Sequence, residues 1–205
     1  MKKTWIIAFV LLNFLWTYPA QSQASSFWLN NYQPPVVNAP VFDALGGLLQ
    51  GPNYVAELWG GITPDSLTPA LAFFSGQRII VPFRSGTSAG LFADFYQGRD
   101  GADHPSVLGV FPITGTAWLE VRAWDVRLGA TYEDVVARGL GGYGESPLFS
   151  AHGSDPNNLT ALPAPLLGLQ SFSLHSVPEP STWALMACGG LAVWWAARRR
   201  RGKPS

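Results

Sequence analysis

Residues 182–197 carry no charge, and Arg198, Arg199, Arg200 and Arg201 follow them at once. No other feature constrains the chain as strongly. Sixteen residues at 1.5 Å rise span about 24 Å as a helix, slightly less than the roughly 30 Å hydrocarbon core of a bilayer. Arg198 can snorkel across the shortfall, and Trp183, Trp194 and Trp195 suit the interface. A buried core helix is the alternative, but the terminal position and the abrupt polyarginine stop argue against it. By the positive-inside rule the four arginines stay in the cytoplasm.

The other end has a second address. Lys2 and Lys3 precede an apolar run at 5–15 broken only by Asn13, and Gln21, Ser22, Gln23 and Ala24 follow. A charged start, an eleven-residue apolar stretch and small residues at −3 and −1 make a signal peptide at 1–24, cut after Ala24. A cut after Ala20 would place bulky Tyr18 at −3. The apolar run is too short for a permanent anchor, which needs about 20 residues. The body is therefore expected outside the cytoplasm, tethered by the span at 182–197.

Just before that span stand Pro178, Glu179 and Pro180, with Ser181 and Thr182 after them. Prolines on both sides of one residue favour an extended segment, the form in which a protease or transpeptidase binds a peptide. This tripeptide, the short apolar helix and the basic stop, in that order, resemble the PEP-CTERM sorting signal of Gram-negative bacteria. The resemblance covers residues 176–201. It implies recognition by exosortase, a membrane-embedded cysteine transpeptidase. It also implies removal of the tail, and release or surface attachment of a body linked to extracellular polysaccharide and biofilm.

The body at 25–176 holds six arginines, no lysine and twelve carboxylates, a net charge of −6. That balance excludes a nucleic-acid partner, which needs clustered basic groups. The single cysteine, Cys188, excludes a disulfide framework and a cysteine-based zinc site within the chain.

Nineteen Gly and thirteen Pro punctuate these 152 residues, and short apolar runs alternate with turn signals. The pattern predicts an all-β fold, a β-sandwich of jelly-roll or Ig-like type. The clearest strand is 116–126. Ala117, Leu119, Val121 and Ala123 fall on a core face, with Trp118, Glu120, Arg122 and Trp124 on the other. Further strands are expected at 54–59, 71–74, 78–83, 91–96, 107–111, 148–151 and 169–175. One short helix is expected, with Thr131 and Asp134 as its capping box and Gly139 as its stop. The segments 39–43, 49–61, 121–125, 129–133 and 168–174 resemble stretches that recur in secreted proteins bearing this sorting signal. The resemblance implies no particular chemistry.

Four motifs tempt. Residues 86–90 satisfy G-x-S-x-G around Ser88, with His104, His152 or His175 as a base in principle. A second strand at 91–96 instead makes this a hairpin loop of small residues. Residues 139–144 satisfy G-x-G-x-x-G but follow a helix rather than a strand, so a loop is expected and no cofactor. Asp100, Asp103 and His104, near Asp94, could offer oxygen ligands to Ca²⁺. The spacing of a known loop is missing, so a solvated acidic loop is the expectation and no metal is assigned. Finally Trp59, Trp118 and Trp124 are candidate ligand-facing residues, since aromatic rings stack on sugars.

The expected protein is a signal peptide (1–24), a β-rich ectodomain (25–176) and a sorting tail (177–205). In the tail the motif occupies 177–181, the span 182–197 and the basic end 198–205. It is exported by the secretion machinery, spans the membrane as a precursor and is processed by exosortase. Its expected role is that of a non-catalytic component of the cell surface or polysaccharide matrix. The rivals are a carbohydrate-binding module using exposed tryptophans and, further off, a hydrolase using Ser88.

Overall fold

The computed structural model describes residues 24–92, 104–110, 112, 114–158 and 160–176. They are mostly β-structure with one short α-helix. The signal peptide expected at 1–24, apart from Ala24, the sorting tail from 177 onward and the acidic loop expected around Asp94, Asp100 and Asp103 lie outside them. Among the described residues no helix is long and apolar enough to cross a membrane.

The framework is an antiparallel pair, β4 (Tyr54–Gly61) and β9 (Thr116–Asp125), in register from Tyr54↔Asp125 to Gly61↔Trp118. Both strands are long because their sequences alternate without interruption. Ala117, Leu119, Val121 and Ala123 are fully buried, as are Ala56 and Leu58 beside them. The outer edge of each strand is shared by two short partners. β5 (Thr68–Pro69) and β7 (Ile80–Pro82) flank β4; β10 (Tyr143–Glu145) and β11 (Phe149–His152) flank β9. Ser146 closes the gap between β10 and β11. Its hydroxyl accepts from the Val121 N–H at 3.0 Å, and its own N–H donates to the Val121 carbonyl at 2.9 Å. Pro69 and Pro82 stand on outer strands, where a missing N–H costs no ladder bond.

A second sheet has the order β1 (Ala24–Ser26), β8 (Pro105–Leu108), β6 (Leu71–Ala72). A small hairpin pairs β2 (Tyr32–Gln33) with β3 (Val37–Asn38). One apolar cluster takes Val107 and Ala72 from the second sheet together with Leu58, Leu119 and Val121 from the first. Gly60 permits this approach: a Cβ there would stand 2.3 Å from Val107 Cγ2. β1 begins at Ala24, opposite Leu108. A cut after Ala24 leaves Ser25 and Ser26 to pair with Val107 and Ser106, and the Ser25 hydroxyl donates to the Gly115 carbonyl at 3.1 Å.

The helix α1 spans Tyr132–Arg138. The Thr131 hydroxyl accepts from the Asp134 N–H at 3.2 Å, the Asp134 carboxylate accepts from the Thr131 N–H at 3.3 Å, and Gly139 ends the helix at φ 64°. These are the residues the sequence marks.

Several expected strands are corrected. The stretch 169–175 is no strand; it makes one bridge, Ser173↔Phe42, and then bonds to Gly142 and Tyr143. It runs between two segments and gives each a single register position. The strand expected at 107–111 lies at Pro105–Leu108, because Gly109 turns the chain at φ 80°. The strand expected at 71–74 ends at Ala72, where the Ala72 N–H already bonds back to the Gln77 carbonyl. Of the strand expected at 91–96, residues 93–96 lie outside the described residues, and Phe92 makes an isolated bridge to Phe83.

Candidate functional site

The densest polar constellation lies on the face of β4 and β9 turned away from the main core. Alternation puts Val55, Glu57 and Trp59 of β4 on that face, beside Trp118, Glu120, Arg122 and Trp124 of β9. Helix α1 covers it: Tyr132 and Val135 are buried against Val55 and Trp124. The capping box fixes the helix start and so places Glu133 in its first turn.

Glu57 is fully buried. The Arg78 guanidinium grips it with two bonds, Nε to Oε1 at 2.6 Å and Nη2 to Oε2 at 2.5 Å. The Trp59 indole N–H adds a third at 3.0 Å. The same guanidinium reaches Glu133 of the helix with two contacts at 3.1 Å. Arg78 thus ties the central strand to α1. Next to it the Arg122 guanidinium carbon sits 3.7 Å from the Trp59 ring centre and 4.9 Å from that of Tyr132, within cation–π range. Its Nε donates to Glu120 at 2.5 Å. The Tyr132 hydroxyl donates to Glu145 of β10. Tyr132 also meets Trp59, Trp124 and Tyr143 edge-on, with ring centres 5.8–6.5 Å apart.

Electrostatics follow this pairing. Burial pushes the Tyr132 phenol well above its ordinary value, and its bond to Glu145 adds to the shift. Burial pushes the Glu133 carboxyl up, but its bonds to Arg78 outweigh that and hold it below its usual 4.5. Asp125 behaves alike: burial raises it, and hydrogen bonds from Arg127 bring it below 3.8. Carboxyls depressed in the folded state lend stability that is complete above their ordinary values and lost as pH falls through the depressed ones. Thermal unfolding, followed by tryptophan emission, should therefore move to lower temperature as pH drops below about 4.5. Glu133→Gln should remove part of that slope; a midpoint flat down to about pH 3 would contradict these pairings.

Each charged group of the cluster finds its partner inside it. The arrangement clamps a helix to a sheet. Trp124 is fully buried and Trp59 is 8% exposed, so neither faces a ligand. α1 and the arginine stack cover the rings that sequence alone leaves open. Trp118, at the far end of the face, is half-buried. A cavity of about 250 Å³ opens at that end of β4, lined by Gly60, Gly61, Ile62, Leu71, Val107 and Leu108 among others. Among the described residues its wall contains no aromatic ring on which a sugar could stack.

The remaining motifs separate. Gly86–Ser88 forms a short 3₁₀ turn between Phe83 and Phe92, which pair antiparallel, so Ser88 sits in a hairpin and not at a strand-to-helix elbow. His152 contacts the Thr116 hydroxyl, and the His175 ring lies 5.0 Å from that of Tyr143. Residues 139–142 link α1 to β10 as a loop, while Tyr143 and Gly144 of the G-x-G-x-x-G stretch belong to β10, where they pair with Trp124 and Ala123. No group of three His, Cys, Asp or Glu fit for a metal occurs among the described residues; the Asp100 and Asp103 positions lie outside them. Sequence reasoning missed the Glu57–Arg78 grip, since 21 residues separate the pair and no periodicity links them.

The last described segment, 172–176, ends where the sorting residues begin. Residues 176–201 match the PEP-CTERM protein-sorting motif. The tail carries a PEP-CTERM signal. Pro178, Glu179, Pro180 and the arginines 198–201 all fall inside the match. A PEP-CTERM signal marks an exported precursor, held in the membrane through its sorting segment and targeted to exosortase. No curated protein and no solved structure matches the chain.

Proposed function

We propose that this protein is a non-catalytic component of the cell surface or of the extracellular polysaccharide matrix, delivered there by exosortase processing. The PEP-CTERM signal at 176–201 is the observation that carries this reading. The body supports it. Its most concentrated charges and aromatic rings hold its own helix in place, which suits a stable exported domain. The larger apolar cluster, drawn from two sheets, supports a sandwich-like packing of the body. The signal peptide at 1–24, cut after Ala24, supplies export by the secretion machinery, and the final location is the outer surface or the medium.

Replacing Pro178, Glu179 and Pro180 together by alanine tests the reading. The full-length chain should then stay in the membrane fraction, while the unaltered chain yields a shorter product. Intact mass of the protein from cells and from medium reports both cuts. Normal trimming of the triple variant would refute exosortase recognition through these residues.

A further inference from the structure

The end of the folded body is fastened. The Leu174 N–H donates to the Phe42 carbonyl at 2.9 Å, the His175 N–H to the Tyr143 carbonyl at 2.7 Å, and the Gly142 N–H to the His175 carbonyl at 2.9 Å. Leu169, Phe172 and Leu174 are buried beneath this seam. Pro178 is three residues beyond His175, a reach of at most about 10 Å in the most extended chain. Thr182, where the uncharged segment starts, is seven residues beyond it, at most about 24 Å. The covalent chain therefore leaves no room for a spacer. Whatever binds the Pro178-Glu179-Pro180 segment from the membrane must come against the edge of the body where His175 is tied.

That edge is the loop between α1 and β10. It is not purely polar there: Leu140, two residues before the Gly142 anchor, is 46% exposed, and Val136 on the last turn of α1 is 38% exposed. We propose that this edge, centred on Leu140 and His175, is the surface the folded body presents to the membrane-embedded processing enzyme. The inference rests on the exosortase reading and adds to it a contact outside the sorting motif. Ile62 supplies a control. It is 58% exposed, but it follows the Gly61 end of β4, whereas β10 pairs with β9 opposite the Tyr54 end. Six residues of strand, roughly 20 Å, lie between the two ends.

The test uses the full-length precursor in cells that contain the enzyme. Leu140→Glu and Ile62→Glu are each made with and without a Gly-Ser insertion of about twelve residues between Ser176 and Val177, worth roughly 40 Å when extended. Pulse-chase gives the rate of tail removal. L140E should slow removal at least about fivefold, as loss of a contact residue does, whereas I62E should leave it unchanged. The insertion should restore the L140E rate. Equal rates for L140E and the unaltered chain would overturn the proposal, and so would slowing that the insertion fails to relieve. A photo-crosslinker at position 140 should label the enzyme; labelling of lipid alone would assign the edge to the bilayer and overturn it too. If the unaltered precursor is never trimmed, the exosortase reading falls and takes this contact with it. Trimming at equal rates removes only the contact.

Discussion

Arg78→Met should lower the stability of the body by about 3–5 kcal/mol, the cost of stranding one partner of a buried ion pair. The reason lies in Glu57, whose carboxylate is fully buried and keeps only the Trp59 indole N–H once the two guanidinium bonds are gone. The methylene part of Arg78 is preserved by methionine, so lost packing is a minor part of the change. Arg78→Lys should fall between, because a single ammonium cannot span both carboxylate oxygens. Glu133→Gln should cost no more than about 1 kcal/mol, since its side chain is half exposed and the pair is screened. Removing the buried carboxylate as well, in Glu57→Leu with Arg78→Met, should recover much of the loss. Urea unfolding followed by tryptophan emission measures all four. A loss under about 1 kcal/mol for Arg78→Met would show that water or a neighbouring donor reaches Glu57, and the clamp would then not hold the helix.

Local signals were legible in the sequence, and the links between distant segments were not. The helix start at Thr131 and its end at Gly139 follow from capping chemistry that acts within four residues. Strand β9 follows from ten residues of clean alternation, and all four residues assigned to its inner face are fully buried. The outer face misled. Its pattern of Trp118, Glu120, Arg122 and Trp124 is what a solvent-facing or ligand-facing ladder would show. What covers it is a helix whose docking depends on Arg78, two residues before β7, meeting Glu133. Tertiary partners decide exposure in such cases, and one strand's sequence does not contain them. The stretch 169–175 shows the same limit. Leu169, Phe172 and Leu174 are buried as a strand's residues would be, but their segment is shared between Phe42 and Tyr143. The sorting tail was legible for the opposite reason: its tripeptide, uncharged segment and basic stop form one linear pattern, all of it inside the matched motif at 176–201.

Gly144→Val should open the seam at the end of the body. Gly144 pairs with Ala123 in β10, and a Cβ placed on it would stand 2.5 Å from the Ser173 carbonyl oxygen and 3.0 Å from the Leu174 Cα. Those atoms are backbone and cannot rotate aside as a side chain can, so either β10 or the terminal segment must shift. β10 is held on one side by the β9 ladder, while residues 172–175 are held by a few separate bonds. The terminal segment should yield first. Overpacking of this kind costs about 1–3 kcal/mol globally. The sharper result is local: the Leu174 and His175 amides should lose protection from hydrogen exchange while those of β9 keep theirs. Opening the seam back to Leu169 would raise the reach to Pro178 from about 10 Å to roughly 30 Å. The variant should then be trimmed without regard to Leu140→Glu, as if a spacer had been inserted. Protected Leu174 and His175 amides in Gly144→Val would mean that β10 moves instead, and the short tether would stay in force.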